Sequence, residues 1–498
     1  MNNDIAQSVA RNTTIMMGSQ IITWASSFAL MLFLPRYLGS EEYGRLFLAI
    51  SVTWIIQIFI EFGGNYYIVK EISRSPEAAP GLLSNSIALR VILWVVSLAA
   101  MAVFTTFIGY SMDVKALLLV LGISKLWEGS GRVLCNCYQG LQLMQFPSAG
   151  AIVERVFVTT AGITALILGV GPLAIAIIMG VSTLLNFLVL TRFTSFITRL
   201  RARPQWAEMG RILHASIPYF LWATFSVVYY RVDAVMLSIM VPESVVGWYG
   251  AAYRFFDVLM FLPSIYSVAI FPVLSKLWTR GREGIGVTTQ KSLEFIFLAG
   301  VPVAIAVFLF SEDIIGFLFG SEGFSDSAVI LRILSCGLIL VYIDSVLGTA
   351  LFASDRQRYW TATAFFAMLL NPLLNYYLIP YTQMRCGNGG IGAALATLIT
   401  EFFVMVMAMS VLPRSLFETA RPSVLLKGVA AGALMMVTTW QLEGSVLPWM
   451  FRALAGFGVY CAAIGVLRTV EPVEREFIKR FFSYRNLKTL FAISKETS

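Results

Sequence analysis

The sequence predicts an all-α polytopic membrane protein of about 14 transmembrane helices, arranged as two six-helix bundles followed by two extra C-terminal helices. Of its 498 residues, 58% are hydrophobic and only 13% are charged, and the mean hydropathy is +0.78. Soluble domains carry roughly 25% charged residues, so no soluble core could bury this much apolar surface. Apolar stretches follow one another along almost the whole chain, and Lys and Arg collect in every second gap between them.

Each apolar stretch is long enough to cross a bilayer, which takes roughly 20 residues of α-helix. The predicted spans are 15–34, 46–69, 85–109, 114–134, 148–169, 172–193, 213–240, 245–275, 293–311, 326–353, 359–380, 390–412, 424–441 and 446–467.

The positive charges predict the orientation of these spans. Of the 36 Lys and Arg residues, 25 fall in the two terminal segments and the even-numbered loops, four fall in the odd-numbered loops, and seven lie inside spans. Positively charged loops stay in the cytoplasm, so both termini are predicted to be cytoplasmic in a multi-pass protein of the cell inner membrane. The net charge of +8 then contacts anionic lipid, and we expect membrane lipids, not nucleic acid, as partners.

No loop is long enough to form a catalytic domain, since the longest, around 194–212, has about twenty residues. The chain has no phosphate-binding loop, dinucleotide fingerprint or H-E-x-x-H motif, so we expect no enzyme activity, no cofactor and no metal site. Cys135 and Cys137 form a C-x-C pair that lacks other metal ligands nearby and is interpreted as packing. The tail 471–498 is predicted to be a cytoplasmic amphipathic helix, because Phe477, Phe481 and Tyr484 recur at helical spacing.

An internal repeat is indicated by two similar loops. The segment 36–46, RYLGSEEYGRL, aligns with 240–249, MVPESVVGWY, when Gly44 is placed on Gly247. This offset superimposes spans one to six on spans seven to twelve. It predicts an N-terminal half 1–212, a C-terminal half 213–412 and two additional helices in 413–470, with a substrate site between the halves.

Three segments resemble the polysaccharide flippases of the MOP superfamily, which also contains lipid II flippases and MATE exporters. They are the opening RNTTIMMGSQIITWASSFALMLFLPRYLGSEEYGRL, the segment 231–277 with its D-x-x-M-L and G-x-Y-x-A-A-Y-R pieces, and the segment 370–401 with N-x-x-L-I-P and G-x-x-G-A-A-x-A-T. One departure is the stretch 381–390, which is expected to be a longer and more polar loop than in the family.

The resemblance implies that the protein flips a polyprenyl-pyrophosphate-linked oligosaccharide from the cytoplasmic to the outer leaflet. It implies alternating access through a cationic central cavity, in the biosynthesis of a surface polysaccharide such as lipopolysaccharide O-antigen. A polysaccharide polymerase complex is a possible partner, and Na⁺, H⁺ or the membrane potential could drive the cycle. The alternatives are a lipid II flippase and a cation-coupled multidrug exporter, which would use acids to bind organic cations. A glycan polymerase or ligase is disfavoured because it needs a large outer loop.

Charged residues inside spans are the candidate binding residues, because buried charge marks pathways or pairs with opposite charge. Lys125, Glu128 and Arg132 share one helix face and are expected to neutralise each other. Arg254 and Asp257, at i and i+3 of one helix, either neutralise each other as a structural pair or bind the substrate. In the family, cavity arginines of spans one, two, seven and eight meet the lipid pyrophosphate, which implies Arg254 first and Arg231 second as phosphate ligands, with Glu61 as the linked acid. The full set of translocation residues is Arg254, Arg231, Asp257, Asp233, Glu61, Arg90 and Lys125.

Overall fold

The fold is described from a computed structural model for residues 2–197, 204–279, 285–320, 323–413, 422–445, 447–467 and 469. Within these ranges all regular structure is helical and no strand is present, which confirms the predicted all-α polytopic membrane protein. The amphipathic helix expected in the tail 471–498, and residues 198–203 of the longest predicted loop, lie outside the described residues.

The helices are as follows: α1 Asn2–Glu61, α2 Gly64–Arg74, α3 Ala79–Ile108, α4 Met112–Gly140, α5 Gln145–Ile167, α6 Pro172–Ile197, α7 Trp206–Met240, α8 Glu243–Leu259, α9 Phe261–Thr279, α10 Ile285–Leu309, α11 Ser311–Phe319, α12 Ser327–Ala353, α13 Gln357–Cys386, α14 Gly389–Val411, α15 Pro422–Gln441 and α16 Trp449–Val466. One turn of 3₁₀-helix, Pro76–Ala78, precedes α3.

Twelve candidate spans in the described part of the chain are long and apolar enough to cross a membrane. One of them, Gly18–Glu61, is 44 residues long and is broken at Gly39, whose φ of 72° and ψ of 172° are not helical. It therefore supplies two of the predicted spans. The 29-residue helix α4 is also long enough, but it carries Lys125, Glu128 and Arg132 in its apolar stretch. These two features reconcile twelve candidate spans with the fourteen predicted from the sequence.

Two predicted spans are interrupted. The second span ends at Phe62 and Gly63, which have φ values of 44° and 68°, so the chain turns before α2. Left-handed backbone is natural for glycine and uncommon for a bulky residue such as Phe. The eighth span, predicted as one helix over 245–275, is divided at Met260 into α8 and α9. The short helix α11 was not predicted.

The expected polar loop at 381–390 is wrong. Helix α13 continues to Cys386, and only Gly387 and Asn388 separate it from α14. Gly387 ends α13 in the left-handed conformation, with φ 68°. The Asn388 side chain then accepts a hydrogen bond from the Gly390 amide and caps α14. Polar residues in this stretch therefore extend one helix and start the next.

The helices bury a shared apolar core and expose apolar side chains on their outer surfaces. Leu46, Leu331 and Leu338 are fully buried, whereas Phe107, Val268 and Val466 are at least 77% exposed. A soluble protein would avoid such a surface, but in a membrane it is covered by lipid tails. Helix α1 lies centrally and packs against α4, α5, α7 and α8. The division into halves 1–212 and 213–412 stays a prediction.

Candidate functional site

The acid Glu61 lies at the centre of a polar network between α1, α2, α3 and α4. Its carboxylate accepts hydrogen bonds from Gln57 Nε2 at 2.8 Å and Asn65 Nδ2 at 2.6 Å. Arg132 Nε is 2.8 Å from the same carboxylate. We expected Glu61 to be linked to Arg254 and Arg231, but its ionic partner is Arg132 of α4, which the packing of α4 against α1 places beside it.

The remaining members of this network are two further cations and an acid. Lys125 Nζ lies 2.7 Å from Glu128, which also pairs with Arg132 at 3.2 Å, so the sequence correctly predicted this neutralising row. Buried Arg90 donates to Asn65 Oδ1 at 2.7 Å, while its Nη1 has no partner. We call Glu61, Arg90, Lys125, Glu128 and Arg132 the Glu61 network. It carries three positive and two negative charges.

A second charged group lies where α7 and α8 meet the second half of α1. Buried Arg231 pairs with Asp257 at 3.4 Å, and Tyr230 donates to the same carboxylate at 2.7 Å. The Arg231 guanidinium also lies over the Trp54 ring, 4.7 Å from its centre, a cation–π contact that partly compensates its burial. Its Nε has no hydrogen-bond partner.

Arg254 is one helical turn from Asp257 but does not pair with it. The Asp257 carboxylate faces Arg231 and Tyr230, and Arg254 makes no hydrogen bond or ion pair with any described residue. The side chain is half-buried. We call Arg231, Arg254 and Asp257 the Arg231 group, and it carries a net charge of +1.

Asp233 belongs to a separate site, although it is only two residues from Arg231. Residues i and i+2 of a helix point in different directions. The buried Asp233 carboxylate accepts from Tyr249 at 2.8 Å, Asn375 at 2.6 Å and Thr397 at 3.0 Å, and no cation among the described residues pairs with it. The partners on α13 and α14 were not predicted, because nothing in the local sequence brings them next to α7.

Two further acids were missed by the sequence analysis. Asp344 on α12 and Glu401 on α14 are both buried, and the Tyr229 hydroxyl donates to Glu401. The available signal was an acid inside an apolar span; unlike Asp233 and Asp257, neither of these acids has a basic residue close to it in the sequence. Among the described residues, no group of three or more His, Cys, Asp or Glu is arranged to hold a metal ion.

Helices α1 and α8 contact each other at the end of the molecule that holds Gly39. We call this the outer end, because the positive charges predict that it faces outside. Arg45 pairs with Glu243 at 2.5 Å, Glu41 at 2.6 Å and Asp113 at 3.2 Å. A Cβ atom added to Gly44 would collide with the Glu243 carbonyl oxygen, and one added to Gly247 would collide with the Ser40 carbonyl oxygen. The two glycines that were aligned as a repeat therefore allow the two backbones to touch.

Aromatic side chains pack the turn after α1, and helix α2, against α7 at the opposite end, which is predicted to be cytoplasmic. The Phe62 and Phe220 rings stack with centres 4.1 Å apart, and Tyr66 stacks on Tyr219 at 5.3 Å. A Cβ atom on Gly63 would lie 2.7 Å from the Ser216 carbonyl oxygen, so the backbones are also in close contact here. Both ends of the contact between α1–α2 and α7–α8 are thus closed in this structure.

Comparisons with known proteins agree with this architecture. The family model described as polysaccharide biosynthesis protein matches residues 9–278, and the model of the lipid II flippase MurJ matches residues 147–458. The probable low-salt glycan biosynthesis flippase Agl15 of Haloferax volcanii is 24% identical, over 79% of this chain and 81% of that protein. The capsular polysaccharide biosynthesis protein CapF of Staphylococcus aureus is 21% identical, over 80% and 98%.

Solved structures show the same fold. A lipid II flippase MurJ in an inward closed conformation superimposes with a TM-score of 0.75 at 16% identity, covering 92% of this chain and 98% of that one. An inward-facing multidrug resistance MATE transporter of the MOP superfamily gives 0.66 at 15% identity, covering 82% and 100%. Each of the two family models matches more than half of this chain. The chain therefore belongs to the polysaccharide biosynthesis protein family, among the flippases of the MOP superfamily.

Proposed function

We propose that this protein flips a polyprenyl-pyrophosphate-linked oligosaccharide from the cytoplasmic to the outer leaflet of the inner membrane, for the biosynthesis of a surface polysaccharide. The cargo combines an anionic diphosphate, a polar sugar chain and an apolar tail. Each uncompensated polar group would cost several kcal/mol in hydrocarbon, so its passage needs cations and water along the path. Transport of this kind requires no catalytic residue, and the relative Agl15 is described as a probable glycan biosynthesis flippase.

Arg254 is the observation that carries this proposal. A charged side chain inside a transmembrane helix costs roughly 2.5–3.5 kcal/mol even on insertion scales, and such residues usually pair within the protein. Arg254 has no such pair among the described residues, because Asp257 is taken by Arg231 and Tyr230. A diphosphate would supply the missing partner, and a guanidinium binds its oxygens through two parallel hydrogen bonds.

The Glu61 network supports the same proposal from the other side of the contact. It has one positive charge in excess, Arg90 retains a free Nη1, and the Arg132 side chain is 53% exposed. An anion between α1–α4 and α7–α8 would meet one excess cation from each side. Closed contacts at both ends fit alternating access, in which one set opens while the other holds.

A lipid II flippase is the second candidate, favoured by the match of the MurJ model to residues 147–458. Both cargoes carry a polyprenyl diphosphate, so Arg254 would serve either of them. Purified protein in liposomes should be assayed with undecaprenyl-pyrophosphate-linked oligosaccharide and with lipid II, and ethidium should be used to test the multidrug alternative. Faster flipping of the oligosaccharide is the expected result.

The test of the site is Arg254→Ala in the same liposomes. Loss of a charge-assisted contact of about 1.5–3 kcal/mol should slow flipping roughly ten- to 150-fold. Arg254→Lys should recover only part of the rate, because a point charge cannot replace the planar fork. Arg332→Ala is the matched control, since that arginine pairs with Glu312 at 2.9 Å near the outer end. Flipping at the full rate by well-folded Arg254→Ala would remove Arg254 from the site.

A further inference from the structure

A cavity of about 290 Å³ lies between α1, α7, α13 and α14, and none of the proposed phosphate ligands lines it. Four aromatic residues form its walls: Trp54 of α1, Tyr229 and Tyr230 of α7, and Trp360 of α13. The other lining residues are Ser, Thr, Ala and Val. Pockets that bind small molecules begin at roughly 300 Å³, so the space suits a small group or one part of a larger ligand.

Most hydroxyl groups at the cavity wall are engaged elsewhere. The Tyr229 hydroxyl donates to Glu401, and the Tyr230 hydroxyl donates to Asp257 at 2.7 Å. The Thr363 hydroxyl donates to a backbone carbonyl of its own helix at 3.0 Å. A ligand in the cavity therefore meets mainly aromatic rings and aliphatic side chains.

Such a wall suits a hydrocarbon group better than a sugar ring. A sugar hydroxyl that leaves water needs a hydrogen-bond partner in the protein. Carboxylate and amide side chains offer several acceptors or donors each, but the described residues that line the cavity include no Asp, Glu, Asn or Gln. Apolar groups, by contrast, bind more tightly in proportion to the area that they remove from water.

The charge beside the cavity indicates what the hydrocarbon is attached to. The Arg231 guanidinium lies 4.7 Å from the centre of the Trp54 ring and 5.2 Å from that of Tyr230, so two walls of the cavity also contact a cation. Arg231 Nε has no hydrogen-bond partner, and the Arg231 group has a net charge of +1. A hydrophobic cation would be repelled there, whereas an apolar ligand that ends in an anion fits both features.

Packing around the cavity keeps it open. A Cβ atom on Gly348 of α12 would lie 2.9 Å from the Trp360 ring, so the absence of a side chain there makes room for the indole. Ala364 and Ala367 line the cavity with single methyl groups, and a larger side chain at either position would fill it. Trp54 is 46% exposed, so its ring is accessible to a ligand.

We propose that this cavity binds the first isoprene units of the carrier lipid, the hydrocarbon attached directly to the diphosphate, while the Arg231 group binds the diphosphate. The inference rests on the proposed function, in which the cargo is a polyprenyl diphosphate. The protein then recognises the junction between headgroup and tail. Every glycan built on the same carrier shares that junction, so recognition does not depend on the sugar.

Photo-crosslinking of the purified protein in nanodiscs tests the site. The probe is farnesyl diphosphate with a diazirine on its first isoprene unit, and adducts should map to the cavity wall at Trp54, Trp360 and Ala364. Adducts confined to Leu369 and Leu373, which are 52% and 56% exposed on α13, would show labelling from the lipid only and overturn the site.

Competition identifies the part of the cargo that is bound. Undecaprenyl diphosphate without sugar should abolish labelling, farnesol should compete at least about tenfold less well because it lacks the anion, and ethidium should not compete. Equal competition by farnesol would overturn the role of the Arg231 group. Competition only by a glycan-bearing carrier would assign the cavity to sugar and overturn the proposal.

Ala364→Phe fills the cavity and should remove labelling. Each buried methylene strengthens binding roughly fourfold, so exclusion of one isoprene unit should weaken binding about tenfold or more. Ala462→Phe, the same substitution at an exposed position of α16, is the matched control and should label as the parent does. If Ala364→Phe does not fold, Trp360→Ala decides, because loss of one wall should also weaken labelling. Undiminished labelling in whichever variant folds would overturn the site.

Flipping in liposomes separates this inference from the proposed function. The parent protein should flip undecaprenyl-pyrophosphate-linked oligosaccharide, and the cavity variant should flip it about tenfold more slowly. A cavity variant that loses labelling but flips at the full rate would overturn a role for the cavity in transport. If the parent moves no such cargo, the proposed function fails, and the crosslinks still decide whether the cavity holds a prenyl chain.

Discussion

Gly247→Ala tests whether contact between α1 and α8 closes the outer end. The added Cβ atom would overlap the Ser40 carbonyl oxygen, which is backbone and cannot rotate away. Overpacking of this kind costs about 1–3 kcal/mol. Since the contact exists only when the outer end is closed, the cost falls on that state alone. The closed-to-open equilibrium should therefore shift roughly five- to 150-fold towards open.

The shift can be measured with two spin labels at exposed outer-end positions, Glu42→Cys and Ser325→Cys, in a background without the five native cysteines. Double electron–electron resonance should give one short distance in the parent and an added longer distance in Gly247→Ala. Gly316→Ala is the matched control, because a Cβ atom there meets nothing within 4 Å. An unchanged distance distribution in folded Gly247→Ala would refute the closure argument.

Two further predictions concern the cytoplasmic contact and the orientation. Gly63→Ala places a Cβ atom against the backbone of α7, at a position with φ 68°. It should therefore weaken closure of the predicted cytoplasmic end by about 1–3 kcal/mol and raise the labelling of a cysteine placed at Tyr66. Unchanged labelling would contradict the packing of Gly63 against α7. Native Cys386, kept as the single exposed thiol, should react with a membrane-impermeant maleimide from outside, whereas Arg282→Cys should react only after permeabilisation. The reverse pattern would invert the predicted topology.

Local spacing correctly predicted one part of the charged site. Lys125, Glu128 and Arg132 lie on one helix face, so their pairing follows from the geometry of a single α-helix. The same rule suggested a pair between Arg254 and Asp257, but Arg231 and Tyr230 of the neighbouring helix compete for that carboxylate. A contact along one helix can be predicted from the sequence only when no other helix offers a better partner.

For the glycines too, the sequence predicts a similarity between segments, whereas helix packing decides the contacts. Aligning Gly44 with Gly247 indicated a repeat, and the structure brings those two segments together at one end of the molecule. Neither the contact nor the collision that a methyl group would cause could be read from the alignment. The close approach of Gly63 to the backbone of α7 likewise depends on how the helices pack.

The sequence by itself determined the membrane-spanning helical architecture, because the bilayer requires long apolar helices with satisfied backbones, and that requirement acts on each segment separately. Only the tertiary structure decided which charges meet: Glu61 with Arg132, and Asp257 with Arg231. These partners come from different helices, and inside a low-dielectric interior their energies depend on distances of a few ångströms that packing alone sets.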